Sequence, residues 1–311
     1  MYRRGYVLAP HREYGDLDQL YAGTGDWLQL TPGVFSCKRS RVTLPAVRIT
    51  KLEINCGVQI RNDVEPWRVI VLLLRPANGC QILANGKKYT DACCVIASGE
   101  ELAVNILGAA TILWFDVDRR SLAESDRAFP PVNYAFAPGA MQWWTLASYA
   151  NNRLAGVPGR EADVERVVVS WLQRARSCTN SPADANREKL VRTALELMWA
   201  SIEEPSTLRE ICTAAQCSVR TLIYVFNATY GMSPMKYFKI QRLNIAHHRL
   251  QSAEPGVRVF DIAADCGFWH LGHFGVDYKA FFGTTPRTTP RGEIVRRSHE
   301  ARAQMLVGSI A

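Results

Sequence analysis

Nine cysteines, at positions 37, 56, 80, 93, 94, 178, 212, 217 and 266, are the side chains with the most chemistry to offer. Their number is odd and no two form a C-x-x-C pair, which argues against a secreted disulfide framework and for a reducing compartment. Cys93 and Cys94 are neighbours in an apolar, strand-like run. Adjacent strand residues point to opposite faces, so the pair is poorly placed to share a metal. Histidine is thinly spread: His11 is the only one before His247, which excludes a histidine-ligated centre of the kind an enzymatic cupin barrel uses. No Gly-rich phosphate loop, nucleophile elbow or HExxH motif is present. Catalysis is not indicated, and no catalytic residue, metal ligand or cofactor is assigned. A cysteine-based redox or alkylation sensor stays open as the alternative reading.

Charge gives the second signal. Lys plus Arg number 37 against 29 for Asp plus Glu, a formal charge of +8. Residues 205–311 hold 13 basic and 7 acidic side chains, so most of the excess sits in the last third and suggests a polyanionic partner there. The 311 residues, 48% hydrophobic and 21% charged, have ordinary globular composition and suffice for about two domains. Apolar runs such as Val69 to Leu74 fall far short of the ~20 residues of a membrane span. The apolar segment after Arg3 and Arg4 ends at His11-Arg12-Glu13, too early for a secretory leader. The expectation is a cytoplasmic protein with no membrane partner.

The elements that position these residues change character along the chain. Six runs rich in Val, Ile and Leu, at 47–55, 69–74, 80–84, 92–97, 102–107 and 111–117, read as strands, and Asn85-Gly86 suits a two-residue hairpin turn. This spacing predicts an antiparallel barrel or sandwich. After Pro130-Pro131, apolar residues recur at helical spacing over 139–154, 161–178 and 185–202, most clearly at Val164, Val167, Val168, Trp171 and Leu172. The first two of these helices would either supply a dimer face or pack against the strand domain.

The last hundred residues contain an internal repeat. Ile211-Cys212, Leu222, Phe226, Gly231 and Ser233-Pro234 are matched by Ile262-Ala263, Phe274, Tyr278, Gly283 and Thr285-Pro286, offset by 52 from Leu222 onward. Each copy reads as a helix, a tight turn, a second helix and a glycine stop before proline. Thr207 and Glu210 form a capping box ahead of the first copy. Cys217-Ser218 makes its turn, with Ser218 capping the second helix. This is helix-turn-helix grammar written twice. Between the copies, Pro234 to Ser252 reads as a helix with Ser233 as its cap and Pro234 at the favoured first position. Its length, on the order of 28 Å, is close to the ~34 Å between successive major-groove faces, which points to a DNA reader.

The runs S-V-R-T-L-I-Y-V-F (218–226), G-M-S-P-M-K-Y-F (231–238), Q-R-L-N-I-A (241–246), D-I-A-A-D-C-G-F (261–268) and Y-K-A-F-F-G-T-T-P (278–286) closely resemble the AraC/XylS family of bacterial transcription regulators. The resemblance covers roughly residues 185–292; the upstream half matches only in kind. It implies an α+β chain in four parts. Residues 1–135 would be a β-rich, barrel or cupin-like effector-binding domain, and 136–183 a helical dimerisation or connecting segment. Residues 184–292 would be an all-α domain of two helix-turn-helix units joined by a linker helix, and 293–311 a tail. The implied function is a sequence-specific transcription regulator, an activator by resemblance. Its partners would be double-stranded promoter DNA, RNA polymerase, a small-molecule or protein effector and a second copy in a homodimer.

The resemblance places the exposed face of each second helix in the major groove. For the first unit the implied DNA-binding set is Ser218, Arg220, Thr221, Ile223 and Tyr224. Arg220 can donate two hydrogen bonds to guanine, Tyr224 can reach a base edge or a phosphate, and Ile223 can touch a thymine methyl. The alternative for Arg220 is a salt bridge or a phosphate contact. Leu222 and Phe226 fall on the core side. For the second unit the set is His270, Leu271, Gly272, His273, Gly275, Val276 and Lys279, and here the chain departs from the family. Leu271, Gly272, Gly275 and Val276 occupy positions where polar residues are common. Such a helix would contribute shape fit and methyl contacts, with His270, His273 and Lys279 on phosphates; a merely supportive unit is the alternative. Most discrimination then rests on the first unit. Cys212, Cys217 and Cys266 replace small or apolar inward-facing residues and read as buried thiols. In the strand domain Trp67, Tyr89 and Trp114 could line an effector cavity, with Arg68 or Arg75 meeting an acidic effector; ordinary core or surface is the other reading.

Overall fold

Alternating Val, Ile and Leu runs build two antiparallel sheets. The structure, a computed structural model, describes residues 26–43, 47–85, 87–121, 132–136, 182–200, 202–203, 206–254 and 256–291, with the isolated positions 170 and 173. The strands are β1 (Asp26–Gln29), β2 (Cys37–Thr43), β3 (Val47–Ile54), β4 (Val58–Asp63), β5 (Arg68–Pro76), β6 (Ile82–Ala84), β7 (Lys87–Tyr89), β8 (Cys93–Ser98), β9 (Glu101–Ile106), β10 (Ala110–Asp118) and β11 (Val132–Phe136). One sheet runs β1-β4-β9-β6-β7 and the other β11-β8-β5-β10-β3-β2. Ile60, Leu72, Val95, Val104, Ile112 and Trp114 share the core between them.

All six expected strands are present, but the barrel is not closed. Among the described residues both sheets keep open edges, and the outer edge of β1 is engaged by a helix instead of another strand. The Asn85 turn leads into a strand that the apolar runs did not reveal. Asn85 adopts φ 50° and connects β6 to the short β7, with Ala84 paired to Lys87, whereas the 92–97 run crosses to the other sheet as β8.

The helices are α1 (Pro182–Ala200), α2 (Leu208–Ala214), α3 (Val219–Tyr230), α4 (Pro234–Ser252), α5 (Val259–Ala264) and α6 (Leu271–Phe282). The helices expected at 139–154 and 161–178, with their dimer face, lie outside the described residues apart from positions 170 and 173, as does the tail 293–311. No described helix is long and apolar enough to cross a membrane. The connecting helix α4 has the expected bounds and is the spine of the helical half, burying Tyr237, Phe238, Leu243, Ile245 and Leu250 in one core. Ser233 does sit at its N-cap, but its side chain makes no cap hydrogen bond.

Strand β1 joins the two halves because side chains alternate across it. Trp27 enters the core between the sheets, while Leu28 and, just beyond the strand, Leu30 enter the helical core. The backbone of Gln29 is paired on its outer side by the amide of Asn244 from α4. Its N–H donates to Asn244 Oδ1 (3.3 Å) and its carbonyl accepts from Asn244 Nδ2 (3.0 Å). A helical side chain thus fills a place that another strand would take.

A chain of buried amides continues the seam. The Tyr237 hydroxyl donates to Gln59 Oε1 (2.8 Å), Gln59 Nε2 to Asn105 Oδ1 (3.0 Å), and Asn105 Nδ2 to the carbonyl of Thr229 (2.6 Å). Thr229 lies in the last turn of α3, where carbonyls lack helical partners. The N–H of Gly33 serves the carbonyl of Phe281, in the last turn of α6, in the same way at 2.9 Å. Thr229 and Phe281 are 52 residues apart, equivalent positions of the repeat. So are Gly231 and Gly283, which end the two helices in left-handed conformation at φ 67° and 74°. A Cβ at Gly231 would collide with Leu107, and one at Gly283 would lie 2.6 Å from Val34. The strand half therefore grips both second helices at matching points.

His247 of α4 is buried, stacked on Phe282 with ring centroids 4.1 Å apart. Its Nδ1 pairs with the Tyr278 hydroxyl, which also contacts Thr289 Oγ1 at 2.7 Å. Burial, helped by the neighbouring His248, pushes its pKa down to about 3 from 6.5. Below pH 6.5 the unfolded chain binds a proton that the folded one refuses. Its contribution to stability is therefore full above that pH and is lost as pH falls toward 3, by roughly 1 kcal/mol per unit. Urea unfolding between pH 7 and 5 should show this slope, and His247→Gln should reduce it to what His248 contributes, whose pKa burial also pushes down.

The seam gives a second expectation. Gln59→Leu would strand the Tyr237 hydroxyl and the Asn105 amide oxygen. At roughly 1–3 kcal/mol per orphaned buried group, it should lower the urea midpoint clearly, whereas substitution of the exposed Lys88 should leave it unchanged.

Candidate nucleic-acid interface

The first unit is assembled by local caps. The N–H of Thr207 donates to Glu210 Oε2 (2.7 Å) and the N–H of Glu210 to Thr207 Oγ1 (3.3 Å), the expected capping box at the start of α2. These bonds from Thr207 hold the Glu210 carboxyl below its ordinary range. The turn hinges on Gln216, at φ 50°, one residue before the expected Cys217-Ser218. Ser218 then caps α3, its Oγ accepting from the N–H of Thr221 at 3.0 Å, and the two hydroxyls contact each other at 2.8 Å. Both side chains are exposed, but they are bonded to one another and fix where α3 begins.

Leu222, Val225, Phe226 and Tyr230 bury one face of α3. Arg220, Ile223 and Tyr224 emerge on the other; Tyr224 is 66% exposed. Among the described residues no hydrogen bond or ion pair engages Arg220. The structure thus brings the three expected readers onto one open surface, with no salt bridge to hold the guanidinium back.

The second unit repeats the plan with different residues. Gly267, at φ 72°, makes the turn between α5 and α6, and Phe274, Tyr278, Phe281 and Phe282 bury the core face of α6. His270 stands at the N-cap without a side-chain cap bond. His270 and His273 are both exposed, with rings edge to face at 6.3 Å. Leu271 and Val276 are exposed at 41% and 70%, and Lys279 lies exposed one turn on. A Cβ built at Gly272 or Gly275 would meet nothing within 4 Å among the described residues. Internal packing therefore does not demand these glycines, although each weakens a helix by about 1 kcal/mol relative to alanine.

Two exposed aromatics were missed from sequence: Trp269, 62% exposed before α6, and Phe260, 49% exposed on α5. A large aromatic in a turn that holds Cys217-Ser218 in the other copy was the available signal. Arg287 and Arg291 were missed too; both line a groove of about 860 Å³ between α5, α6 and the segment after α6. Arg291 Nη1 donates to the Val257 carbonyl at 2.7 Å, and Arg258 is paired with Asp261 at 2.8 Å.

The aromatics considered for an effector cavity occupy three different surroundings. Trp114 lies in the sandwich core, stacked on Trp27 at 6.3 Å, its indole N–H buried without a hydrogen-bond partner among the described residues. Tyr89 packs against the rim of that core. Trp67 is 42% exposed, with the Arg120 guanidinium over its ring at 4.4 Å. Arg68 is committed to Asp116 at 2.9 Å, which leaves Arg75 as the exposed member of the two arginines.

Residues 211–292 match the family model described as a helix-turn-helix domain. The chain is 35% identical over 106 residues to the probable thc operon regulatory protein of Rhodococcus erythropolis, covering 32% of each chain. It is 34% identical over 134 residues to the HTH-type transcriptional regulator ArgR of Pseudomonas aeruginosa, 43% of this chain and 40% of that one. It is 33% identical over 115 residues to the HTH-type transcriptional activator RhaR of Klebsiella pneumoniae, 37% of this chain and 40% of that one. The chain thus spans between about a third and two fifths of the length of these relatives. A solved transcriptional regulator from Chromobacterium violaceum, of the AraC-type DNA-binding domain-containing proteins, is 34% identical. The match covers 33% of this chain and 90% of that one, with a TM-score of 0.31.

The thiols bear on the sensor alternative. Cys212 and Cys266 are buried as expected, while Cys217 is half-buried and Cys178 lies outside the described residues. Burial pushes Cys37 and Cys93 up to about 12 and Cys266 up to about 11. Protonated thiols are poor nucleophiles. In the native protein at pH 7.5, Cys93 and Cys266 should resist iodoacetamide and become labelled only on denaturation, as read by peptide mass mapping. Ready native labelling of Cys93 would favour the sensor reading.

Proposed function

We propose that this chain, whose residues 211–292 belong to the AraC type of helix-turn-helix domain, is a sequence-specific transcription regulator that binds promoter DNA through α3 and α6 together. One observation carries the reading. Two second helices, buried on equivalent faces in a single core with the 19-residue helix α4 connecting their units, hold their opposite faces open to solvent. Arg220 of the first unit donates to base edges, with Ile223 and Tyr224 beside it. Ser218 and Thr221 position the helix, and Lys279, His270 and His273 of the second unit meet phosphates. The basic surplus of the last third favours the same polyanion.

Regulation follows from the seam. An effector bound by the strand domain acts through Asn105 and Gly33, which hold the ends of α3 and α6, and so changes how the two helices are presented to DNA. With the duplex engaged, the chain acts as an activator by recruiting RNA polymerase, a reading supported by the activator name of one relative.

Discrimination at one base pair is the test. In competition binding against single-base variants of a selected operator, Arg220→Ala should lose about 1–3 kcal/mol of preference at one position and keep the rest. An unchanged preference at every position would remove Arg220 from base reading.

A further inference from the structure

The two units place different chemistry at equivalent positions. Across the 52-residue offset, Arg220, Ile223 and Tyr224 of α3 correspond to Gly272, Gly275 and Val276 of α6. The face that carries a guanidinium and a phenol in the first unit carries no hydrogen-bonding side chain at those places in the second. Among the described residues nothing accounts for the two glycines, since their surroundings have room for a methyl group. A surface outside the described residues is the natural counterpart of residues that weaken the helix they sit in.

The groove beside them describes that surface. Leu271, Val276 and Phe260 form apolar walls, while Lys279 and Arg287 border the same groove as exposed cations. An apolar floor between cations complements a polyanion that offers methyl groups between its charges. The major-groove edge of duplex DNA does so only at thymine.

We propose that α6 reads thymine through its 5-methyl group, so that the two halves of the operator are recognised by different chemistry: hydrogen-bonding edges under α3, methyl groups under α6. Gly272 and Gly275 let the helix backbone approach the base edges. Leu271 and Val276 cover the methyls, and Lys279 and Arg287 pair with flanking phosphates. The inference rests on the reading of the chain as a DNA-binding regulator.

The test uses the full-length chain and an operator selected from randomised duplexes. The half-site that does not respond to Arg220→Ala belongs to α6. There, each thymine is replaced by deoxyuridine, which preserves pairing and every hydrogen-bonding group and removes only the methyl. Affinity should fall about fourfold per contacted methyl, the equivalent of ~0.8 kcal/mol for a group of that size, and Val276→Ser should shrink the difference between thymine and uracil operators. Gly275→Ala should bind at least about tenfold more weakly while its melting temperature stays level or rises, a combination that loss of folding cannot produce. Equal affinity for thymine and uracil operators across that half-site would overturn methyl reading with DNA binding intact. Normal binding by Gly275→Ala would overturn the close approach. Failure to bind any duplex would instead overturn the reading on which the inference rests.

Discussion

The pairing of the Asn244 amide with the backbone of Gln29 is the constraint from which the relation of the two halves follows. A sheet edge exposes donors and acceptors that must find water or a partner. Here the partner is a side chain of the helix that also connects the two helix-turn-helix units. Once that pairing fixes β1 on α4, Leu28 and Leu30 enter the helical core, Gln59 comes under Tyr237, and Asn105 reaches the end of α3. Polar groups of this kind set register more than affinity. Each hydrogen bond contributes only about 0.5–1.5 kcal/mol net, because the separated groups would be hydrated, and the two leucines add about 1.5–3 kcal/mol each. The join is therefore worth several kcal/mol, within the range a ligand's differential affinity can shift.

That energy acts on the second helices of both units alike. Thr229 and Phe281, and Gly231 and Gly283, are equivalent in the repeat and are held by the strand half. The contacts lie at the C-terminal ends of α3 and α6, while the open faces lie in their first two turns. A displacement of the strand half at one end would thus be carried to the open faces at the other by tilting a rigid helix.

The legibility of the sequence follows burial. The strands rich in Val, Ile and Leu, β3, β5, β6, β8, β9 and β10, were readable because hydrophobic pattern is the signal that survives without tertiary context. Four of the five missed strands, β1, β2, β7 and β11, are the four sheet edges. Segments such as Cys37–Thr43 and Lys87–Tyr89 carry the cations that discourage further pairing. The fifth, β4, was hidden because Gln59 is polar, and it is polar because it serves Tyr237 from across the seam. The helix caps, the repeat and the bounds of α4 were legible because they are local. Gln216 was not: a non-glycine residue in left-handed conformation leaves no compositional mark. The open faces of α3 and α6 were legible from the repeat, yet the vacancy around Gly272 and Gly275 required coordinates.

The repeat also separates internal from external constraint. Its copies agree at Leu222 and Phe274, at Phe226 and Tyr278, and at Gly231 and Gly283, where each residue faces the core or the strand half. They disagree at Arg220 and Gly272, at Ile223 and Gly275, and at Tyr224 and Val276, all on the open face. Had the second unit merely lost its role, substitutions there would be expected to favour the helix, because among the described residues nothing opposes alanine or a polar helix former. Two glycines beside two exposed apolar residues are the opposite outcome, costly to the isolated protein in both helix propensity and solvation. A partner surface that must come close and is itself apolar between charges removes the contradiction.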